Sequence, residues 1–241
     1  MSVLLRPTAQ ILRQSAGRFS RRGLATVPGT VTGLDARVCA VLGGQWGDEG
    51  KGKLADILAK EYDVVCRFNG GANAGHTVIA DGRKFAFHLL PCGLIYPHTM
   101  NIMGNGTVVN LPGLFEETEP LDEVGIEWRG RLLISNRAQM LFEFHKVIDG
   151  INEQRRAGAD GTGKTIGTTG KGIGPAYTAK VSRHGLRFGD LAGDWSAFEE
   201  KYRATVEAHQ MMFDFEYDVQ AEVCRLLCWC GLLRGCAAPP L

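Results

Sequence analysis

Eleven residues, Gly43-Gly44-Gln45-Trp46-Gly47-Asp48-Glu49-Gly50-Lys51-Gly52-Lys53, contain five glycines, two lysines and two carboxylates. Glycines let a backbone turn tightly and aim its N–H groups at one point, and lysines add positive charge, so the run reads as a phosphate site. It nearly satisfies the Walker A pattern, because Gly47 is followed after four residues by Gly52-Lys53. The next residue is Leu54 rather than Ser or Thr, so the hydroxyl that normally holds Mg²⁺ is missing. Asp48 or Glu49 must replace it if a metal binds there.

Three further stretches could do chemistry. Asn69-Gly70-Gly71-Ala72-Asn73-Ala74-Gly75-His76-Thr77 offers an Asn, a His and a Thr among small residues, with glycine carbonyls able to reach a metal. His76 is the one histidine in such a setting, and its residue type fits either acid–base work or a structural role. His88, His98, His145, His184 and His209 are read as structural. Ile166-Gly167-Thr168-Thr169-Gly170-Lys171-Gly172-Ile173-Gly174-Pro175 is a second anion nest, followed by the basic Lys180, Arg183, His184 and Arg187. Two phosphate sites imply two phosphorylated ligands. The remaining stretch, Gly158-Ala159-Asp160-Gly161-Thr162-Gly163-Lys164-Thr165, matches GxxxxGK[ST] in full but follows a helical pattern, whereas a phosphate loop follows a strand. It is read as a polar loop.

The elements that must position these residues alternate. Val38–Leu42 is an apolar run of strand length ending in glycines. Lys53–Lys60 places Leu54, Ile57 and Leu58 on one helical face, and Val64–Phe68 is the next strand. Together they make a βαβ unit with the first loop at the carboxyl end of its strand, where ligands bind in such sheets. Further strands are expected at Lys84–Leu90, Asn101–Met103 with Thr107–Val109, and Arg131–Ile134. Helices are expected at Pro112–Glu119, Ala138–Arg156 and Trp195–Val219. The class is α/β, with a P-loop-like central sheet of mostly parallel strands flanked by helices.

Composition sets the outer limits. The 241 residues are 44% hydrophobic and 22% charged, which excludes disorder and collagen, and the 32 glycines demand many turns or ligand-hugging loops. The longest apolar run, Leu226–Leu233, is far short of a bilayer span, so no membrane partner is expected. The net charge of +1 divides unevenly. Residues 1–34 carry five Arg and no acid, whereas Asp35–Leu241 holds 22 basic and 26 acidic residues. A body of net −4 gives no broad basic face for nucleic acid. The leader is Arg-rich, Ser-containing and acid-free, as organelle transit peptides are; a disordered tail is the rival reading, and both leave residues 1–34 outside the fold.

The expected domains are that leader, a nucleotide-binding region at 35–220, and a terminal segment at 221–241. Ala221–Leu241 holds four of the seven cysteines, and their spacing fits no usual zinc framework. It is read as an atypical tail, not native to the fold, after a premature end.

Four motifs in order, QWGDEGKGK, GGANAGHT, GNGTVVN and IGTTGKGIGPAY, resemble the amino-terminal half of the adenylosuccinate synthetase family, over roughly Arg37 to Val219. The resemblance implies GTP-dependent, Mg²⁺-requiring ligation of inosine monophosphate (IMP) to L-aspartate, the first committed step of AMP synthesis, by way of a 6-phosphoryl-IMP intermediate. It implies Asp48 as general base and metal ligand, His76 as general acid, and the Gly75 carbonyl as a second metal ligand. Gly47, Glu49, Gly50, Lys51, Gly52, Lys53, Asn73, Ala74 and Thr77 would contact substrate or nucleotide. Thr169 would hold a 5′-phosphate, and Arg183 would reach across a homodimer interface. Relative to the family the sheet is incomplete, because the guanine- and aspartate-binding residues belong to the other half. The alternative is a truncated, non-catalytic fragment that binds nucleotide or pairs with an intact subunit. The leader points to mitochondrion or plastid, while family members in many organisms are cytoplasmic.

Overall fold

In the computed structural model the described residues are 2–5, 36–45, 49–73, 75–80, 82–158 and 163–236. Strand β2 (Val38–Val41) leads through the first glycine loop to helix α1 (Lys51–Ala59), which buries Ala55, Leu58 and Ala59. Strand β3 (Val64–Gly70) follows, then a hairpin of β4 (His76–Ala80) and β5 (Arg83–Phe87). Next come the long strand β6 (Met100–Val109), helix α2 (Leu111–Glu123), the short strands β7 (Leu132–Ile134) and β8 (Gln139–Met140), and helix α3 (Glu143–Ala157). Helices α4 (Ile173–Val181), α5 (Phe188–Ala192), α6 (Trp195–Met212) and α7 (Val219–Cys236) complete the described chain.

Strands β3, β6, β7 and β8 pair in parallel. Between β2 and β3 lies β1 (Ser2–Leu5), antiparallel to both, so β2 runs in the same direction as β3. The α/β class with a mostly parallel sheet is therefore found as the sequence implied. The βαβ unit is present, but its two strands are not neighbours, because four residues of the segment read as a leader lie between them. The rest of that segment lies outside the described residues.

The common direction puts the chain segments that follow β2, β3, β6 and β8 at one edge of the sheet. Asn110 ends β6 and opens α2: its side chain accepts from the Gly113 N–H at 3.1 Å and donates to the Leu141 carbonyl at 3.1 Å, joining the ends of β6 and β8. The expected helix at Ala138–Arg156 starts later, since Gln139 and Met140 pair with Val108 and Val109. The strand expected in two pieces around Gly104-Asn105-Gly106 is continuous. A Cβ at Gly106 would lie 2.0 Å from the Phe68 carbonyl oxygen, so β6 approaches β3 as closely as glycine allows.

Behind the sheet, Phe142, Phe144, His145, Tyr202 and His209 form a buried aromatic cluster. Helix α7 packs beside it: Val223, Leu226 and Cys230, at helical spacing, are buried, and the Trp229 ring lies 6.4 Å from that of Phe115. The sequence reading found no helix there, because four cysteines and few charges obscured a three-residue apolar face.

Candidate active site

The first loop opens α1 with Gly50 in the left-handed conformation, φ 76°, as the N-cap. That geometry directs the first helical N–H groups outward, the arrangement that receives an anion. Glu49 turns back into the loop, accepts from the Gln45 N–H at 2.8 Å and pairs with Lys51. Lys51 lies over Gly43, where a Cβ would meet its Nζ. Gly50, Lys51, Gly52 and Lys53 are at the surface or partly so. Trp46, Gly47 and Asp48 lie outside the described residues, and so does Ala74.

The second motif begins on β3. Gly70, φ 83°, donates its N–H to the Tyr177 hydroxyl at 2.8 Å, and that hydroxyl donates to the Gly106 carbonyl at 2.7 Å. Gly71 donates to Asn73 Oδ1 at 3.1 Å. Asn73, Gly75 and Thr77 are exposed. His76 is not a loop residue, as the sequence reading had it: it is the first residue of β4, paired in register with Phe87, and β4 packs beside α1. A glycine-rich sequence hides such a strand because its pairing partner lies eleven residues away, beyond any local signal.

Arg67, 5% exposed, holds the base of this hairpin. Its guanidinium donates to the carbonyls of Leu89 at 2.9 Å and of His88 and Gly71. Burial pushes its pKa down, and the charge on Glu117 opposes that. Glu117 of α2 in turn accepts from the N–H groups of His88, Leu89 and Leu90 at 2.9–3.1 Å. Burial raises its pKa, and the three amides and His88 act the other way. Sequence reading named neither residue, and nothing local marks them, since a lone Arg on a strand and a Glu on a helix are ordinary.

The third motif reaches the second directly. Lys171 Nζ donates to the Ala72 carbonyl at 2.8 Å, and Lys180 Nζ donates to the Asn105 carbonyl at 2.5 Å. Gly172, φ 73°, caps α4, and its N–H donates to Asp149 at 3.0 Å, while the Gly167 N–H donates to Glu153 at 3.1 Å. In the first loop and in this one, then, a carboxylate of the chain takes donors that an external anion could use. Thr169 is exposed, and Arg183 is exposed with φ 65°, a conformation that costs a side-chain residue energy. Between the second and third motifs lies a cavity of about 300 Å³, with Ala72, His88, Asn110, Glu117, Lys146 and Lys171 among its lining.

The GxxxxGK[ST] match at 158–165 follows α3, not a strand, and no helix begins within residues 163–172. Among the described residues no helix is long and apolar enough to cross a membrane, and none of them form a cluster of three metal-ligating side chains.

A mostly parallel sheet with glycine-rich loops and left-handed glycines at its carboxyl edge defines an α/β protein of the class whose ligands lie at that edge. The family-level comparisons are specific. The profile of adenylosuccinate synthetase matches residues 40–236, so the chain belongs to the adenylosuccinate synthetase family, and the match includes α7. Among curated relatives, the adenylosuccinate synthetase of Candida glabrata is 50% identical over 194 residues, covering 78% of this chain and 45% of its own length. The chloroplastic adenylosuccinate synthetase of Ostreococcus tauri is 52% identical over 190 residues, covering 78% and 38%. The solved structure of fully ligated adenylosuccinate synthetase from Plasmodium falciparum superposes with a TM-score of 0.73 at 40% identity, over 82% of this chain and 45% of that one. The chain thus spans less than half the length of the relatives it matches.

Proposed function

We propose that this chain carries the phosphate-handling half of a GTP-dependent ligase that joins IMP to L-aspartate to give adenylosuccinate. The supporting observation is the bond from Lys171 to the Ala72 carbonyl, 2.8 Å, which sets two family motif loops face to face at the carboxyl edge of the sheet. In the reaction, Asp48 removes the N1 proton of IMP while its 6-oxygen attacks the γ-phosphoryl group of GTP, and GDP leaves. His76 donates to the phosphoryl group in flight. The amine of aspartate then attacks C6, and the bond from C6 to the phosphorylated oxygen breaks with release of phosphate. Acid–base catalysis of this kind contributes about 10²–10⁴-fold.

The remaining residues bind and orient. Gly47, Glu49, Gly50, Lys51, Gly52 and Lys53 surround phosphate; Asn73, Ala74, Gly75 and Thr77 line the transfer site; Thr169 holds the 5′-phosphate of IMP; Arg183 acts across a homodimer interface. The donor chemistry fits Mg²⁺, a hard ion that takes one or two protein oxygens with the rest from nucleotide phosphates, here the Asp48 carboxylate and the Gly75 carbonyl. Bound there, it would neutralise charge on the phosphates. The name of the Ostreococcus relative and the Arg-rich leader together support a plastid location, with mitochondrion and cytoplasm as the alternatives.

The test is adenylosuccinate formation from IMP, GTP, L-aspartate and Mg²⁺ by the purified chain, followed by nucleotide chromatography. Turnover that disappears in Asp48→Asn and His76→Asn, with IMP binding retained, supports the assignment. Binding without turnover in the unaltered chain identifies a nucleotide-binding or dimer-pairing module instead. Turnover that survives both substitutions overturns the roles.

A further inference from the structure

Arg67 is a buried cation whose hydrogen bonds go to carbonyl oxygens of the backbone. Its Nε donates to Asn69 at 3.4 Å, its Nη1 to Leu89 at 2.9 Å and also to His88, and its Nη2 to Gly71. At 5% exposure a cation among neutral acceptors costs free energy, and burial accordingly lowers its pKa. A guanidinium suits the place because its planar fork joins two chain segments at once. Those segments are Gly71, in the second motif loop, and the turn at His88 and Leu89, which follows β5.

Glu117 grips the same turn from its other side, and the pattern repeats over two successive peptide groups. The carbonyl of His88 meets Arg67, while the N–H of Leu89, in the same peptide group, meets Glu117. The carbonyl of Leu89 and the N–H of Leu90 are divided in the same way. Each peptide dipole therefore points its negative end at the cation and its positive end at the anion. Rotating either plane would lose two charge-assisted bonds together.

This turn is one support of the motif loop. His76 pairs in register with Phe87, the residue before the turn, while the Gly71 carbonyl is bonded to the guanidinium itself. Residues 72–75 thus close between two anchors that Arg67 joins. Neither end has slack: a Cβ at Gly71 would lie 2.6 Å from Val108 Cγ2, and one at Gly75 3.2 Å from His88 Cδ2. Displacing the turn therefore displaces Gly75 and the backbone of His76. Reacting groups need placement to within about 0.5 Å, so such a shift is felt in the chemistry before it is felt in the fold.

We propose that Arg67 is a positioning residue for phosphoryl transfer: with Glu117 bracing the turn, its guanidinium sets the path of residues 72–75 and so the places of the Gly75 carbonyl and His76. What those two groups do rests on the ligase reading; that Arg67 places them does not.

The experiment uses the full chain labelled with ¹⁵N-glycine and ¹³C-histidine, with a melting temperature and a steady-state assay for each variant. Arg67→Lys keeps the charge and loses the fork. Glu117→Gln keeps the size and loses the charge, and it serves if Arg67→Lys does not fold. In both, the Gly75 and His76 signals are expected to move while that of Gly231 in α7 stays in place. Per folded chain, Arg67→Lys is expected to lower kcat roughly 10–100-fold with KM for IMP within about threefold. Adding Arg67→Lys to His76→Asn is expected to cost no further activity, since the one acts through the other. The proposal is overturned if a folded variant leaves the Gly75 and His76 signals in place, if kcat is unchanged in a chain that turns over, or if the two losses multiply. It is overturned too if neither variant folds, which makes the pair structural alone. Moving Gly75 and His76 signals in a chain that forms no adenylosuccinate uphold the positioning and remove only the ligase reading.

Discussion

Two stretches of this chain approach the Walker A pattern, and the one with the better match is the worse candidate. Gly158–Thr165 satisfies the Walker pattern in full yet follows helix α3. Gly43–Lys53 lacks the hydroxyl residue yet lies between β2 and α1, so its donors face the edge where β3 and β6 also end. A phosphate loop works through a convergence of backbone N–H groups with a helix terminus, and a pattern of residue types does not supply that without the flanking elements. The two glycines that border these loops differ in the same sense. Gly50, φ 76° and ψ 22°, is a left-handed cap that starts a helix; Gly158, φ 74° and ψ 163°, ends one.

The largest effect that would break this contrast is catalytic. Asp48→Asn is expected to lower adenylosuccinate formation by about 10²–10⁴-fold, while Thr165→Ala, which removes the hydroxyl of the better-matching pattern, is expected to leave it within about twofold. A reversed result in steady-state assays would move the nucleotide to the second loop.

Next comes pH, which separates the helical support of the second loop from the sheet support of the first. His145 of α3 is 1% exposed, and burial, followed by the charge of His209, lowers its pKa from 6.5 to about 3. Between those values the unfolded chain takes up a proton that the folded chain refuses. Stability is therefore expected to fall as pH drops below about 6.5, by up to about 1.4 kcal/mol per pH unit from this group. Urea titrations at pH 7, 6 and 5 check this. In His145→Asn the acid limb is expected to be flatter, and an unchanged slope would remove His145 as its source.

Smaller effects distinguish the two glycines. The backbone at Gly158 lies in a region that is essentially glycine-only, so Gly158→Ala is expected to cost about 1–3 kcal/mol in chemical denaturation without changing IMP or GTP affinity. Gly50→Ala is expected to cost about 1 kcal/mol and to weaken GTP binding as well. The smallest effect is that of Lys164→Ala, an exposed position, expected within about 0.5 kcal/mol and with unaltered nucleotide affinity.

The residues most legible in the sequence were those whose function needs a local run. The strand, loop and helix around Gly43–Lys53, the second strand ending at glycines, and the long apolar face from Phe142 to Ile151 all announce themselves by period and punctuation. Less legible were elements defined by distant partners. β4 exists because His76–Ala80 pairs with Arg83–Phe87, β8 because Gln139 and Met140 pair with β6, and α7 because Val223, Leu226 and Cys230 find a core to cover. Ser2–Leu5, read as part of a leader outside the sheet, lies between β2 and β3 for the same kind of reason.

The sequence by itself determined the class of the protein, its family and the glycine-rich loops proposed to meet phosphate, because glycine spacing, lysines and alternating elements are properties of short windows. Tertiary structure alone decided which side chains serve those loops. Arg67 and Glu117, fifty residues apart, fix both sides of one turn; Lys171 reaches Ala72 across ninety-nine residues; and His88, an ordinary histidine in the text, faces a cavity. The physical reason is that a parallel sheet collects the ends of its strands at one edge whatever their separation along the chain, and charge and hydrogen bonding act through that proximity.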